Sequence, residues 1–251
     1  MARLDSKTPT KLGLRERKKQ KTRQLIAETA RALFVEHGFD AVSVSEVART
    51  ADVSEATVYN YFPTKEDLVY FGLEVFEEAL LAAVRDRPAG ESALEAFGRF
   101  ATEPRGFLAA TDEAEAEALL RASRMISNSP ALLARERQIL ARYTDSLTAL
   151  LAEETGAEPS DVRPRVVASA LIGLHAALIE YVRRRVLEDD PDAPLPDVLR
   201  PDVRRMARGL RVEGQRAIEL LATGLAGYAV KADHAVKAGH GVKAGQAAEV
   251  S

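Results

Sequence analysis

The sequence contains no cysteine. Disulfides, thiol nucleophiles and cysteine-ligated zinc are therefore excluded, and nothing in the fold or chemistry depends on sulfur redox state. Also missing is any run approaching the roughly 18 consecutive apolar residues of a membrane span, and Met1–Gly13 lacks the apolar stretch of a secretory leader. A cytoplasmic protein without a membrane partner is expected. No segment keeps the two-residue alternation of a half-buried strand. Catalytic signatures are absent too: there is no Gly-x-Ser-x-Gly elbow, phosphate loop or His-Glu-x-x-His pair. Gly239-His-Gly-Val-Lys-Ala-Gly245 has the wrong spacing for a phosphate-cradling loop and sits in a repetitive tail. Neither an enzyme nor a cofactor or metal site is expected.

What remains is a chain of 251 residues, 46% hydrophobic, enough for one large core or for a small domain attached to a larger one. The formal charge of −3 is unevenly distributed. Residues 1–65 carry a net +4, and residues 66–251 a net −7. Nine basic residues fall within Met1–Arg23 against only Asp5 and Glu16, a density that attracts a polyanion before any specific contact forms. A solvated charged tail is the bland alternative for this stretch taken alone.

Apolar residues recur at three and four positions nearly throughout, so the fold class is all-α. A first helix is predicted from about Arg15 to His37, burying Ile26, Ala30, Leu33 and Phe34, with Gly38 as its left-handed stop. Two short helices follow near Val44–Ala51 and Glu55–Tyr61, then a continuous one from Lys65 to about Arg87, ended by Pro88 and Gly90. Further helices are predicted near Glu91–Thr102, Asp112–Ser127, Ala131–Glu154, Ser160–Leu187 and Val203–Tyr228. Pro164 is tolerated in a first helical turn, where its missing amide has no intrahelical partner. From Val230 the chain repeats Val-Lys-Ala-Asp/Gly three times, too small and polar to build a core, and a disordered tail is expected. The implied domains are a basic arm (1–14), a small helical head (15–64), a helical body (65–228) and the tail (229–251).

Functional chemistry concentrates between Ser43 and Lys65. Ser43-Val44-Ser45-Glu46 reads as a capping box that starts one short helix. Val47, Ala48 and Ala51 give that helix an apolar face, Ala51-Asp52-Val53 turns the chain, and Ser54 caps the next helix. Val58 and Phe62, four apart, pin the second helix inward and leave Glu55, Ala56, Thr57, Tyr59, Asn60 and Tyr61 to project elsewhere. Two short helices across a tight turn, the second presenting small, polar and aromatic side chains, fit a DNA major groove.

Ser43-Val44, Val47-Ala48, Ala51-Asp52-Val53-Ser54, Thr57-Val58-Tyr59, Tyr61-Phe62, Lys65-Glu66 and Leu68, preceded by Leu33-Phe34 and His37-Gly38-Phe39, together resemble the signature of the tetracycline-repressor (TetR) family. The likeness covers about residues 15–70. One departure is Asp52 where the family usually has glycine, and Asp tolerates the left-handed conformation better than most residues. The resemblance implies base-edge contacts from Ser45, Glu55, Ala56 and Asn60, and phosphate contacts from Ser43, Thr57, Tyr59, Tyr61 and Lys65, with Ser54 at the cap between them. The chemistry agrees, since hydroxyls and an ammonium suit phosphate oxygens while Asn addresses adenine and Glu accepts from cytosine. Glu55 has an alternative as a dipole-stabilising residue facing solvent, and Tyr59 one as a core residue.

The C-terminal part resembles acyl-CoA-like effector domains of that family through Arg124-Met125-Ile126-Ser127, Pro130-Ala131-Leu132 and the Ala-rich helix after Pro164. Arg121, Arg124, Met125, Tyr143, Leu171 and His175 are candidate lining for a small-molecule effector. His175 as a core or interface histidine, and the arginines as solvated or ion-paired groups, are the structural alternatives. Broad apolar stripes on the last two helices include Leu174, Leu178, Tyr181, Leu210, Ile218, Leu221 and Leu225, and such stripes need partners. The resemblance implies a four-helix homodimer interface, with Ala170, Gly214 and Ala217 permitting close approach. The expected function is a sequence-specific regulator, a repressor released by ligand from a pseudo-palindromic operator on double-stranded DNA. An architectural DNA-binding protein without an effector is the rival, and it leaves the acidic body of about 180 residues without a role.

Overall fold

The computed structural model describes residues 13–103, 113–188 and 203–224, with side-chain detail for most of them. All secondary structure among these residues is helical, in the order α1 (Leu14–His37), α2 (Val44–Thr50), α3 (Glu55–Tyr61), α4 (Lys65–Val69), α5 (Leu73–Arg85), α6 (Ala93–Thr102), α7 (Glu113–Asn128), α8 (Pro130–Thr155), α9 (Arg163–Glu188) and α10 (Val203–Thr223). The basic arm up to residue 12, the repetitive tail and the expected end of the last helix at Tyr228 lie outside the described residues.

Local sequence explains several of the helix starts. Ser54, Thr64, Ser92 and Ser129 each accept the amide hydrogen of the residue three positions on, which satisfies an orphan donor of the first turn. Pro130 occupies the first turn of α8, where no amide is needed. The continuous helix expected from Lys65 to Arg87 is not formed. It breaks after Val69, and Gly72 takes a left-handed conformation (φ 92°) before α5 starts. Apolar periodicity runs straight across this break, although Leu68 and Phe71 pack into one buried cluster and Leu73 and Phe76 into another.

The buried side chains form two clusters. In the head, Ile26, Ala30 and Phe34 of α1 pack with Val47, Ala48, Val58, Phe62 and Leu68. Leu68 and the neighbouring Val69 and Phe71 join this core, so it reaches past residue 64, and Leu132 of α8 is buried in it as well. In the body, Leu80, Val84, Phe97, Phe100, Tyr143, Leu147, Leu171 and Leu178 are the main members. There α8 lies along α9, and α10 packs on α6 and α9. A Cβ on Gly214 would strike the Thr102 side chain, and one on Gly98 would strike Ile218, so glycine permits the close approach of α10 to α6.

Part of the face expected to dimerise is turned into the protomer. Leu174, Leu178 and Leu210 are buried within the protomer. Tyr181, Ile218, Leu221 and Ala217 pack against the same core, Gly214 closes an intrachain contact, and Leu225 lies outside the described residues. A periodic apolar stripe records burial without saying which chain provides the cover. The solvent side of α9 presents Val166, Val167, Gly173 and Ala177, with Val162 exposed just before it. Arg163–Leu187 is long and apolar enough to cross a membrane by composition, and here α7, α8 and α10 pack on this helix.

Candidate nucleic-acid interface

The interface starts from two caps. Ser43 Oγ accepts the Glu46 amide hydrogen at 3.1 Å and fixes the first residue of α2. The Ser43 cap is one-sided, whereas the reciprocal box occurs at Thr64 with Asp67 and at Ser92 with Glu95. Asp52 then carries the turn with φ 54°, the left-handed value that glycine takes without strain. Ser54 Oγ accepts the Thr57 amide hydrogen at 3.1 Å and lies 2.8 Å from Thr57 Oγ1. Only one hydroxyl hydrogen can lie between those two oxygens, which leaves the other free to donate to an incoming phosphate.

Val58 and Phe62 are each 1% exposed and anchor α3 to the head core. The opposite face carries Glu55, Ala56, Tyr59 and Asn60, all exposed, with Ser43, Ser45 and Ser54 exposed beside it. Tyr59 is 49% exposed, which places it outside the core. Thr57, Tyr61 and Lys65 are partly buried. The Lys65 ammonium sits 4.2 Å from the centre of the Phe39 ring and 5.9 Å from that of Phe34, a cation–π arrangement that holds the charge near the end of α3. Tyr61 differs from the other candidates in lining a cleft between head and body with Asp67 and Arg135.

That junction holds residues that periodicity did not single out. Arg23 of α1 lies over the rings of Phe62 and Phe71 at about 5.5 Å and pairs with Glu74 at 2.8 Å. Asp67 pairs with Arg135 of α8 at 2.6 Å, and the Tyr70 hydroxyl donates to the Leu132 carbonyl at 2.9 Å. Burial pushes the Tyr70 phenol up, and the nearby Glu136 carboxylate adds to the shift. The Thr64-x-x-Asp67 pattern was a readable cap signal. Nothing local announced that the same carboxylate meets an arginine 68 residues away.

The effector candidates separate into three places. Arg121 is exposed and pairs with Glu117 on its own helix. Arg124 is partly buried, and Met125 packs against the head core. Tyr143, Leu171 and His175 do come together in the body. Phe76 stacks on His175 (centroids 5.1 Å apart) and on Tyr143 (5.9 Å) and meets Phe100 at 5.3 Å. The Tyr143 hydroxyl donates to the Leu73 carbonyl at 3.0 Å. His175 forms no hydrogen bond with a described residue, and burial pushes its pKa down to about 4.

A tri-helical head with a capped helix-turn-helix, carried on a separate helical core, defines a DNA-binding regulator. The chain belongs to the tetR family of bacterial regulatory proteins. The family's N-terminal model matches residues 26–70, and a model described as the MftR C-terminal domain matches residues 105–211. The HTH-type transcriptional regulator TcmR of Streptomyces glaucescens is 30% identical over 167 residues, covering 64% of this chain and 72% of that protein. The regulator MftR of Mycobacterium tuberculosis is 26% identical over 172 residues, covering 66% and 81%. Among solved structures, NalD, described as the secondary repressor of the MexAB-OprM multidrug efflux pump in Pseudomonas aeruginosa, is 22% identical with a TM-score of 0.47, covering 79% of this chain and 97% of that one.

Proposed function

We propose that the chain acts in the cytoplasm as a homodimeric repressor whose two heads grip successive major grooves of a pseudo-palindromic operator, and that a small apolar or amphipathic effector bound in the body releases it. The head extends to about Phe71 and the body follows. The exposed face of α3 supports the first part most directly. Asn60, Glu55 and Ala56, with Ser45 from α2, address base edges, while Ser43, Thr57, Tyr59 and Lys65 take phosphates. The basic arm adds sequence-independent attraction.

The effector reading is supported by the body's aromatic group. His175 stays neutral at physiological pH and makes no hydrogen bond with a described residue, in an aromatic cluster with Phe76 and Tyr143, and one polar group among apolar neighbours suits an amphipathic ligand.

The test is footprinting on the protein's own genomic DNA, followed by affinity measurements on the protected duplex. Thr57→Ala is expected to weaken all sequences alike. Asn60→Ala is expected to cost about 1–3 kcal/mol and also to relax preference at one base pair. Coating of long tracts instead of one short palindrome would favour an architectural role. Equal losses across sequences for Asn60→Ala would move that residue to the phosphate group. For the effector, calorimetry with and without operator must show the same coupling factor in both directions.

A further inference from the structure

Because α4 ends at Val69 and Gly72 turns the chain in the left-handed region, α5 does not continue the axis of α4. The orientation of the head must therefore be set by other contacts, and Asp67 lies at their centre. Its Oδ2 accepts from the Thr64 amide and the Thr64 hydroxyl, both at 3.0 Å, and so fixes the start of α4 directly after the recognition helix. Its Oδ1 accepts from Arg135 Nε at 2.8 Å, with Arg135 Nη2 in ion-pair contact at 2.6 Å. The pair is mostly shielded, with 15% of the Asp67 side chain and 27% of Arg135 exposed. Beside it the junction is hollow: a cleft of about 200 Å³ opens between Phe62 and Phe71 of the head and Ile139 and Arg142 of α8.

We propose, on the two-headed reading above, that Arg135 is a positioning residue which acts through Asp67 to set the angle of the recognition helix against the body. Operator affinity then depends on a residue that touches no DNA. A shared carboxylate converts a body helix's position into a head helix's position, since one oxygen belongs to the α4 cap and the other to α8. With the pair broken, Leu132 and the Tyr70 hydrogen bond still tie the head to α8, but its angle about Gly72 is less narrowly held. Two loosely held heads no longer match grooves about 34–36 Å apart, whereas one head on half an operator is indifferent to its angle against the body. Arginine is also the fitting residue because its Nε donates to Asp67 while its Nη1 donates to Gln138 at 2.9 Å, and lysine keeps the charge but loses that fork.

The experiment compares wild type, Arg135→Gln and Arg135→Lys on the full pseudo-palindrome and on a half-site cut from it, using the duplex that wild type selects from genomic DNA, with thermal melting as a check on folding. Arg135→Gln is expected to bind the full site about tenfold more weakly and the half-site within about twofold of wild type, with Arg135→Lys between. Unchanged full-site binding by Arg135→Gln overturns the proposal. Parallel losses on full and half sites also overturn it, because they mean that Arg135 supports the fold of the head and not its angle. Should Arg135→Gln fail to fold, Arg135→Lys decides the matter by the same full-site to half-site contrast. A wild type that binds half and full sites equally removes the two-headed reading itself, which is a different failure from a wild type with a strong full-site preference that Arg135→Gln retains.

Discussion

Single residues show how far chemistry could be read without a fold. Asp52 was legible as the turn residue, since short polar side chains tolerate the left-handed region better than others do, and its φ of 54° agrees. Thr57 and Asn60 were also legible, because Val58 and Phe62 assign the inward face and leave the rest. His175 was not, since a lone histidine on an apolar helix reads equally as core, interface or ligand group. Its environment makes a pH prediction. The folded pKa of about 4 lies below the unfolded value near 6.5, so as pH falls the unfolded chain takes up the proton first. The stability held above about pH 6.5 is then lost progressively toward pH 4. Urea titrations at pH 7 and pH 5 are expected to show wild type losing about 2 kcal/mol from this group, and His175→Phe losing correspondingly less. Equal losses in the two proteins would place the ring in a wetter site.

At the scale of elements, helix existence followed from periodicity and helix starts from caps, so the recognition helix Glu55–Tyr61 was placed to the residue. The break at Gly72 escaped, because an isolated glycine within an apolar pattern costs only about 1 kcal/mol in a helix, a sum that packing readily overrides. What decides it is that Leu68 and Phe71 join the head core while Leu73 and Phe76 join the body core. A straight helix cannot face both. Gly72→Ala is therefore expected to lower stability by about 1–2 kcal/mol through backbone strain alone, since the space around a Cβ there is open. Denaturant midpoints measure the loss, and far-UV circular dichroism is expected to stay constant. A rise in helicity would mean that α4 and α5 had fused and that the two cores do not enforce the break.

At the scale of the whole molecule, the opposite charges of head and body and the all-helical class were plain in the sequence, whereas the partner of each apolar stripe was not. Leu174, Leu178 and Leu210, first read as part of a dimer face, are buried in their own protomer, and Val166 is 61% exposed on α9, on the side we propose a second chain covers. Val166→Glu is expected to leave the fold intact, since exposed substitutions rarely cost more than about 0.5 kcal/mol. It is expected to weaken dimerisation by about a hundredfold or more, because burying a carboxylate costs desolvation that an exposed apolar contact does not. Light scattering at micromolar concentration reads both states. A Val166→Glu protein that remains a dimer would show that the interface lies elsewhere.

The sequence by itself determined the helical class, the Ser43 and Ser54 cap positions, the recognition helix and its outward residues, since each is settled within a few turns of chain by spacing, hydrogen-bonding side chains and backbone preference. Only the tertiary structure decided where α4 stops, that Asp67 meets Arg135, that Leu132 of α8 enters the head core, and which faces of α9 and α10 turn inward. Those outcomes depend on which of several apolar or charged surfaces meet across 50 to 70 residues of sequence, as Arg23 with Glu74 and Asp67 with Arg135 do. Complementary shape and charge over that distance leave no periodic trace in either segment alone.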